Sequence, residues 1–290
     1  MSPNATAVKL IECPRDAMQG LHEFIATADK VRYINKLLQV GFDTIDFGSF
    51  VSAKAIPQMS DTAEVLSKLD LSSSTSKLLA IIANVRGAQE ASVHEEITYL
   101  GFPLSLSETF QQRNTNRSIA EALQNLEEIQ GLCHKYNKTL VSYLSMGFGN
   151  PYGDPYTEAY IEEFVTKLDK ISVKIISLSD TVGVADELQI KKAFNSVIPH
   201  FPHIEFGAHL HSVPDKITAK VQAAYEAGCR RFDGALKGFG GCPMAKDDLV
   251  GNMATEMMVS YFEDKGVYLG IDKTKLTEAM RIASEIFPIN

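Results

Sequence analysis

Short apolar runs alternate with longer amphipathic stretches along the whole chain, and this alternation is the strongest constraint on the fold. The runs predict eight strands: Val8 to Glu12, Thr44 to Phe47, Leu78 to Ala83, Glu96 to Leu100, Thr139 to Leu144, Val173 to Leu178, His203 to His209 and Arg231 to Ala235. Apolar residues three and four positions apart predict helices between them, among them Asp29 to Val40, Ser118 to Tyr136, Thr157 to Leu168, Pro214 to Ala227 and Asn252 to Phe262. A strand–helix repeat of roughly 30 residues indicates a parallel sheet, because parallel neighbours need a crossover connection.

Eight such units favour a closed (β/α)8 TIM barrel, an α/β fold, over the alternative of an open doubly wound sheet. An open nucleotide-binding sheet normally carries a glycine-rich turn after its first strand, whereas this chain has Cys13-Pro14-Arg15-Asp16 there. No Pro/Gly/Ser-rich linker divides the 290 residues. We therefore expect a single barrel domain over residues 1–290, with Ile271 to Ile286 as a C-terminal helix after the eighth unit.

Charge and hydropathy exclude several classes of partner. The 28 basic and 36 acidic residues give a net charge of −8, so the chain lacks the positive field that binds nucleic acid. No stretch approaches the roughly 20 apolar residues that span a bilayer, and the N-terminus lacks a basic-then-apolar signal pattern. We expect no membrane partner and a cytoplasmic location. The four cysteines have no CxxC spacing, which argues against a disulfide framework or a structural zinc site.

The barrel prediction also indicates where a site would lie, because catalytic groups in such barrels project from the carboxyl ends of the strands. Polar residues concentrate there: Arg15 and Asp16 after the first strand, Asp46 at the end of the second, Asp180 after the sixth, His209 and His211 at the end of the seventh, and the loop Gly238 to Pro243 after the eighth. We therefore expect the chemistry at this rim.

The sequence His209-Leu210-His211 predicts a metal site, since residues i and i+2 of a strand share a face and both imidazoles can reach one cation. Asp16 would add an anionic oxygen and Asn252 a neutral carbonyl oxygen. Two nitrogens with hard oxygens favour Mg²⁺ or Mn²⁺ over tetrahedral zinc. The alternatives are that Asp16 only caps a helix and that Asn252 only opens one.

Two further residues are candidates for the chemistry. Arg15 is placed to face a developing negative charge, and its alternative role is an ordinary salt bridge at the strand end. Cys242 lies on the glycine-rich loop, where a thiol can exchange a proton in a closed site. Its alternative role, which we assign to the other cysteines, is that of a buried, inert thiol; those cysteines are Cys13, Cys133 and Cys229.

Six motifs are distributed along the chain: Pro14-Arg15-Asp16 with Gln19, Ser49-Phe50-Val51-Ser52 with Pro57-Gln58-Met59, Ser177-Leu178-Ser179-Asp180-Thr181, His209-Leu210-His211, Gly238-Phe239-Gly240-Gly241-Cys242-Pro243 and Gly251-Asn252-Met253-Ala254-Thr255-Glu256. Together, over about residues 8 to 280, they resemble the 3-hydroxy-3-methylglutaryl-CoA lyase family of the DRE-TIM metallolyase superfamily. The Arg-Asp and HxH elements are shared with related Claisen-type synthases and aldolases. The GxGGCP loop followed by GNxATE is more particular to the lyases.

The resemblance implies a barrel that holds a divalent cation, Mg²⁺ or Mn²⁺. It also implies an acyl-CoA substrate, 3-hydroxy-3-methylglutaryl-CoA, which is split into acetyl-CoA and acetoacetate, and it suggests a homodimer. The implied ligands of the cation are Asp16, His209, His211 and Asn252.

The same resemblance implies roles for the other site residues. Arg15 would stabilise the enolate of the departing acetyl-CoA, and Cys242 would take part in proton transfer to that carbanion. Asp180 matches a family acid near the site and is a candidate for the general base or for orienting a histidine. Asp46 is the other candidate for the base.

The chain departs from the family pattern around the rim. Asp46 stands where the family usually has Glu, Ser212 replaces the Asp after the second histidine, Cys13 and Ala17 replace glycines, and Ser179 replaces the glycine before Asp180. These changes keep two alternatives open. One is a related aldolase or a Claisen-type synthase acting on another acyl-CoA or a 2-oxo acid. The other is a metal-binding barrel without turnover.

Overall fold

The computed structural model describes residues 7–241 and 250–287, and eight parallel strands close there into a barrel. Each strand pairs with the next along the chain, and β8 pairs with β1 to close the ring. The predicted (β/α)8 barrel is therefore confirmed, and the open sheet is excluded. The strands are β1 Lys9–Glu12, β2 Thr44–Ser49, β3 Lys77–Ile81, β4 Ile97–Ser105, β5 Thr139–Ser145, β6 Ile175–Asp180, β7 Glu205–Ser212 and β8 Arg231–Gly234.

Helices surround the barrel and cover the outer faces of its strands. Apolar side chains of strands and helices meet there in one large core, which includes Ile45, Leu100, Phe164 and Phe232. None of the described helices is both long enough and apolar enough to cross a membrane. The helices are α1 Pro14–Gln19, α2 Thr27–Leu37, α3 Thr62–Leu66, α4 Val85–Ser92, α5 Glu108–Thr115, α6 Ile119–Lys135, α7 Glu158–Lys170, α8 Glu187–Val197, α9 Ile217–Glu226, α10 Thr255–Asp264 and α11 Lys273–Ile286.

The limits of several strands differ from the sequence prediction. β4 is the longest of the described strands, because it continues beyond its predicted end at Leu100 through Gly101 and Pro103 to Ser105. β7 runs to Ser212, so His209 and His211 lie within the strand and not at its end. β7 extends beyond its apolar run because it pairs with β6 as far as Leu210 and with a short partner strand at His211 and Ser212.

A ninth strand, β9 Gly251–Asn252, lies outside the ring and corrects the prediction for Asn252. It runs antiparallel to the end of β7, with Asn252 opposite His211 and Gly251 opposite Ser212. The predicted helix from Asn252 to Phe262 was wrong at its beginning, because α10 begins at Thr255. The backbone pairing with β7 thus positions Asn252 beside the second histidine.

Candidate metal centre

Asp16, His209 and His211 form a cluster at the carboxyl end of the barrel. One ligand atom from each lies within 4.8 Å of the others. His209 and His211 share the inner face of β7, while Leu210 packs into the outer core. Asp16 comes from α1, a six-residue helix that begins at Pro14 immediately after β1. A proline is suited to a first helical position because the amide it lacks has no partner there.

The carboxylate of Asp16 is surrounded by donors. Arg15 Nη1 and Gln19 Nε2 each donate to Oδ1 at 2.7 Å, and Asn252 Nδ2 donates to Oδ2 at 2.8 Å. Burial raises the pKa of Asp16, but Arg15 and the two histidines outweigh it and bring that pKa to about 2. Asp16 is therefore an anion at neutral pH, as a metal ligand must be.

Each histidine is oriented through its Nδ1 atom. His209 Nδ1 lies 3.1 Å from Asp233 Oδ2, and His211 Nδ1 lies 3.0 Å from the carbonyl oxygen of Thr181. Burial lowers the pKa of His209, but the hydrogen bond and charge of Asp233 raise it above its ordinary value. Burial and His209 lower the pKa of His211, so this imidazole is neutral near pH 7.

These residues fit a divalent cation. His211 Nε2 is buried and has no hydrogen-bond partner among residues 7–241 and 250–287, as expected for a nitrogen held ready for a ligand. Two imidazoles with a carboxylate and an amide make a donor set that suits Mg²⁺ or Mn²⁺. Asn252 contacts Asp16 through its amide nitrogen, so its Oδ1 atom would face a cation only after rotation of the amide group.

Arg15 and Asp46 form a buried ion pair next to the cluster. Arg15 Nε lies 3.0 Å from Asp46 Oδ2, and Nη2 contacts the same oxygen. Burial raises the pKa of Asp46 to about 6, against the opposing effect of Arg15. Asp46 lies within β2, at the bulge before Gly48, and not at the strand end as expected. The ion pair holds the guanidinium of Arg15 against the cluster.

Asp180 is the last residue of β6, and both oxygens of its carboxylate accept hydrogen bonds. Lys220 Nζ donates to Oδ2 at 2.9 Å, and the backbone amides of Val184 and Ala185 donate to the two oxygens. In the described structure Asp180 has no hydrogen bond to an imidazole; the carboxylate that contacts His209 belongs to Asp233. Lys220 Nζ also donates to the carbonyl of His211 at 2.8 Å, so Asp180 supports the β7 backbone.

The glycine-rich loop approaches the cluster closely where it is described. Gly240 has φ +84, and a Cβ atom there would lie 2.6 Å from Asp16 O and 2.9 Å from Asn252 Nδ2. Only glycine fits this position, because both the backbone conformation and the contact distance exclude a side chain. Cys242 and Pro243 lie outside the described residues, so the role expected for Cys242 stays a prediction.

A cavity of about 330 Å³ opens above the cluster. Arg15, Asp16, His209 and His211 line its floor, while neither Asp46 nor Asp180 lines it. Apolar and hydroxyl side chains form its walls, among them Ile56, Ile81, Phe110, Tyr143, Ser145, Ser179 and Thr181. A second groove, of about 640 Å³, lies between the segment after β2 and α4 and shares Val51 with this cavity.

Asp233 and Tyr143 are candidate functional residues that the sequence analysis missed. Asp233 lies one residue before the end of β8 and contacts His209, and the ring of Tyr143 packs edge-on at 5.5 Å from the His209 ring. Asp233 was recognisable, because it is an acid near the carboxyl end of a predicted strand. Tyr143 gave no such signal, since it lies in an apolar run and resembles a core residue.

The fold and the cluster define a class: a (β/α)8 barrel with a candidate divalent-metal centre beneath a substrate-sized cavity. The chain matches the HMGL-like family over residues 7–283. It is 31% identical over 275 residues to hydroxymethylglutaryl-CoA lyase of Bacillus subtilis, covering 94% of this chain and 90% of that protein. It is 32% identical over 273 residues to the cytoplasmic 3-hydroxy-3-methylglutaryl-CoA lyase of Rattus norvegicus, covering 94% of this chain and 79% of that protein.

A solved structure of an HMG-CoA lyase is also similar to this chain over nearly its whole length. The HMG-CoA lyase of Acinetobacter baumannii, in complex with coenzyme A and 3-methylmalate, superimposes with a TM-score of 0.90 at 30% identity. The match covers 99% of this chain and 93% of that one. The chain belongs to the HMGL-like family, in agreement with the resemblance of its motifs, and its named relatives are lyases.

Proposed function

We propose that the protein is a divalent-metal-dependent carbon–carbon lyase that cleaves 3-hydroxy-3-methylglutaryl-CoA to acetyl-CoA and acetoacetate. The observation that carries the proposal is the cluster of Asp16, His209 and His211 on the cavity floor, with Arg15 beside it. The relatives named for this activity cover most of the chain and support the substrate. The neighbour solved with coenzyme A supports an acyl-CoA ligand.

The cation would be held by Asp16, His209, His211 and Asn252, and we propose Mg²⁺ or Mn²⁺. When bound, such an ion supplies Lewis acidity, which lowers the pKa of a nearby hydroxyl and stabilises negative charge on oxygen. Asp16 enters this role as an anion and His211 as a neutral imidazole, so neither must first lose a proton at neutral pH.

The reaction requires two proton transfers and the cleavage of one carbon–carbon bond. A base removes the proton of the tertiary hydroxyl, and a carbonyl forms there as the bond to the thioester α-carbon breaks. The electron pair of that bond passes to the thioester as an enolate, which Arg15 stabilises by donating to its oxygen. Cys242 then donates a proton to the α-carbon, which gives acetyl-CoA; the thiolate regains a proton from solvent while the base releases the one that it took.

Asp46 is better supported than Asp180 as the group that accepts the hydroxyl proton. Asp46 contacts Arg15, which lines the cavity, and its pKa of about 6 lies near neutral pH. Asp180 already accepts hydrogen bonds from Lys220 and from two backbone amides. Neither acid lines the cavity, so we propose that the proton reaches Asp46 through a bound water molecule beside Arg15, and we assign a supporting role to Asp180.

Two properties complete the proposal. A cytoplasmic location is supported by the name of the rat relative, and a homodimer is suggested by the resemblance to the family. Size-exclusion chromatography with light scattering tests the dimer, because a monomer at micromolar concentration would contradict it.

The deciding experiment combines the purified protein, Mg²⁺ or Mn²⁺ and 3-hydroxy-3-methylglutaryl-CoA. We expect acetoacetate and acetyl-CoA in equal amounts, and no product after treatment with a chelator. Absence of acetoacetate at high enzyme concentration would refute the substrate. Release of free thiol from acetyl-CoA in the presence of a 2-oxo acid would indicate a synthase instead. Metal and ligand binding without any product would indicate a barrel that lacks turnover.

A further inference from the structure

The interior of the barrel below the metal centre is partly polar. Leu79, Val141 and Ile175 form part of a small apolar cluster there. The other inward positions include Ser177 on β6 and both Arg231 and Asp233 on β8, all of them buried. Arg231 is 0% exposed, which is rare for a charged side chain unless all of its donors are paired.

Several polar atoms of this interior have no protein partner. Within the described ranges, Tyr143 OH, Ser177 Oγ, Arg231 Nε, Arg231 Nη2 and Asp233 Oδ1 are buried and accept or donate no hydrogen bond. Buried polar atoms nearly always have a partner, either in the protein or in ordered water. Five such atoms in one part of the barrel therefore point to bound water.

The backbone brings Ser177 and Arg231 together beside Gly207. A Cβ atom at Gly207 would lie 2.9 Å from Ser177 Oγ and 3.2 Å from Arg231 Cδ, so both side chains pass close to this residue. Asp233 is two residues after Arg231 on the same strand and shares its inward face. A glycine on β7 thus leaves the space beside which the Arg231 side chain passes.

Arg231 is only partly paired at the amino end of the barrel. Its Nη1 atom lies 3.3 Å from Glu205 Oε1 and 4.0 Å from Asp43 Oδ1. Burial opposes its charge, but Asp233, Tyr143 and Glu205 together raise the pKa of Arg231 above its ordinary value. The guanidinium is therefore a cation, and among the described residues its Nε and Nη2 atoms are buried without a partner, as is one oxygen of Asp233.

We propose that ordered water molecules bridge Arg231, Ser177, Tyr143 and Asp233, and that Arg231 acts through them as a positioning residue for Asp233. Asp233 in turn accepts the Nδ1 proton of His209 and leaves the Nε2 lone pair of that imidazole for the cation. The inference extends the proposed metal centre, but the orientation of His209 can be measured without metal.

The test uses two variants of Arg231 and a matched control. Arg231→Met keeps most of the side-chain volume and removes the charge, and Arg231→Lys restores the charge. Arg230→Met is the control, because Arg230 donates to the carbonyls of Tyr225 and Cys229 and not to the interior. For each protein, ¹⁵N NMR at alkaline pH gives the His209 tautomer without metal, and electron paramagnetic resonance gives the Mn²⁺ dissociation constant.

We expect Arg231→Met to shift the His209 tautomer away from Nδ1–H. We also expect it to weaken Mn²⁺ binding about tenfold, the lower end of the usual loss of affinity when a hydrogen-bond partner of a metal ligand is removed. Arg231→Lys should recover most of both effects, and Arg230→Met should change neither. An unchanged tautomer with Mn²⁺ affinity within about twofold of wild type would overturn the proposal, even if the unfolding temperature fell. If the wild type binds no Mn²⁺, the proposed metal centre is wrong, and the His209 tautomer alone tests the role of Arg231.

Should Arg231→Met fail to fold, Ser177→Ala provides a second variant, because it removes one hydroxyl while keeping the cation. A crystal structure of the wild type at high resolution provides an independent measurement. Water within hydrogen-bond distance of Ser177 Oγ and Asp233 Oδ1 is expected. An interior in which the side chains pair directly, without water, would overturn the proposal.

Discussion

Asp233 Oδ2 lies 3.1 Å from His209 Nδ1, so a carboxylate on β8 fixes the orientation of a metal-binding candidate on β7. Both residues are largely buried; the side chain of Asp233 is 1% exposed and that of His209 is 12% exposed. The contact assigns the Nδ1 position of His209 to a proton and its Nε2 position to the cluster with Asp16 and His211. It supplies the carboxylate support for which Asp180 was one candidate.

Replacing Asp233 with Asn should therefore weaken the metal centre. The amide can still contact His209, but it lacks the charge that strengthens the hydrogen bond. We expect Mn²⁺ affinity to fall about 10- to 100-fold, the usual effect of losing such a partner. Calorimetric titration with Mn²⁺ measures this. Wild-type affinity in Asp233→Asn would show that the contact does not support the ligand.

His209→Ala and Asp16→Ala should abolish metal-dependent cleavage with little loss of fold. Both side chains lie at the cavity floor and outside the large apolar core. Acetoacetate formation and circular dichroism measure the two effects together. His203→Ala is a suitable control, because His203 is an exposed histidine that pairs with Asp169. Global unfolding of both site variants would contradict the assignment.

Cys242→Ala and Cys242→Ser should lower turnover far more than metal affinity, because the thiol is assigned to proton transfer and not to the cation. A loss of about 10²–10⁴-fold in kcat is typical of a general acid or base. Steady-state kinetics and Mn²⁺ titration separate the two quantities. Cys133→Ala, in the buried face of α6, is the control that should keep full turnover. Equal turnover in wild type and Cys242→Ala would remove this residue from the mechanism.

Asp180→Asn should destabilise the protein, because it leaves the ammonium of Lys220 without its anionic partner. The side chains of Asp180 and Lys220 are 1% and 2% exposed, and breaking a buried pair costs about 3–5 kcal/mol. Urea unfolding should show this loss, and the double variant Asp180→Asn with Lys220→Met should recover part of it. Asp46→Asn also breaks a buried pair, but Arg15 keeps Asp16 as an anionic partner, so we expect a smaller loss of stability together with a fall in kcat. The reverse pattern would make Asp180 the base.

Glu12 should make stability fall as the pH rises. Burial raises the pKa of Glu12 to about 8 from 4.5, although hydrogen bonds from Thr255 and Leu236 oppose the shift. Between those values the folded protein binds a proton that the unfolded chain has lost, so the free energy of unfolding decreases with pH.

Urea unfolding at about pH 5 and about pH 8 measures the effect of this group, which we expect to be about 2–5 kcal/mol. In Glu12→Gln the side chain has no charge to lose, so the decrease should be much smaller. An equal decrease in wild type and Glu12→Gln would assign the pH dependence to other groups.

The sequence was sufficient for the barrel and for most members of the cluster. Strand–helix alternation identified all eight barrel strands, and the i, i+2 spacing of His209 and His211 required both imidazoles to share a face. Placing Asp16 near them needed only the rule that strand carboxyl ends meet at one rim. These inferences succeeded because they depend on periodicity and topology, which the chain carries locally.

The contacts of individual side chains could not be predicted in the same way. Asp46 and Asp180 are both acids near strand ends, and only the positions of Arg15 and Lys220 distinguish them. Asn252 follows no strand-like pattern, because its position depends on two residues that pair with β7. Such pairing is tertiary, since the partner lies far away along the chain.

The hydrogen bond between Asp16 and Asn252 joins residues 236 positions apart. Asp16 follows the first strand, and Asn252 follows the eighth, so the two lie on opposite sides of the junction that closes the ring. A cation bound between them would cross-link the beginning and the end of the barrel. Loading with metal would thus hold together the seam between β8 and β1 at which the ring closes.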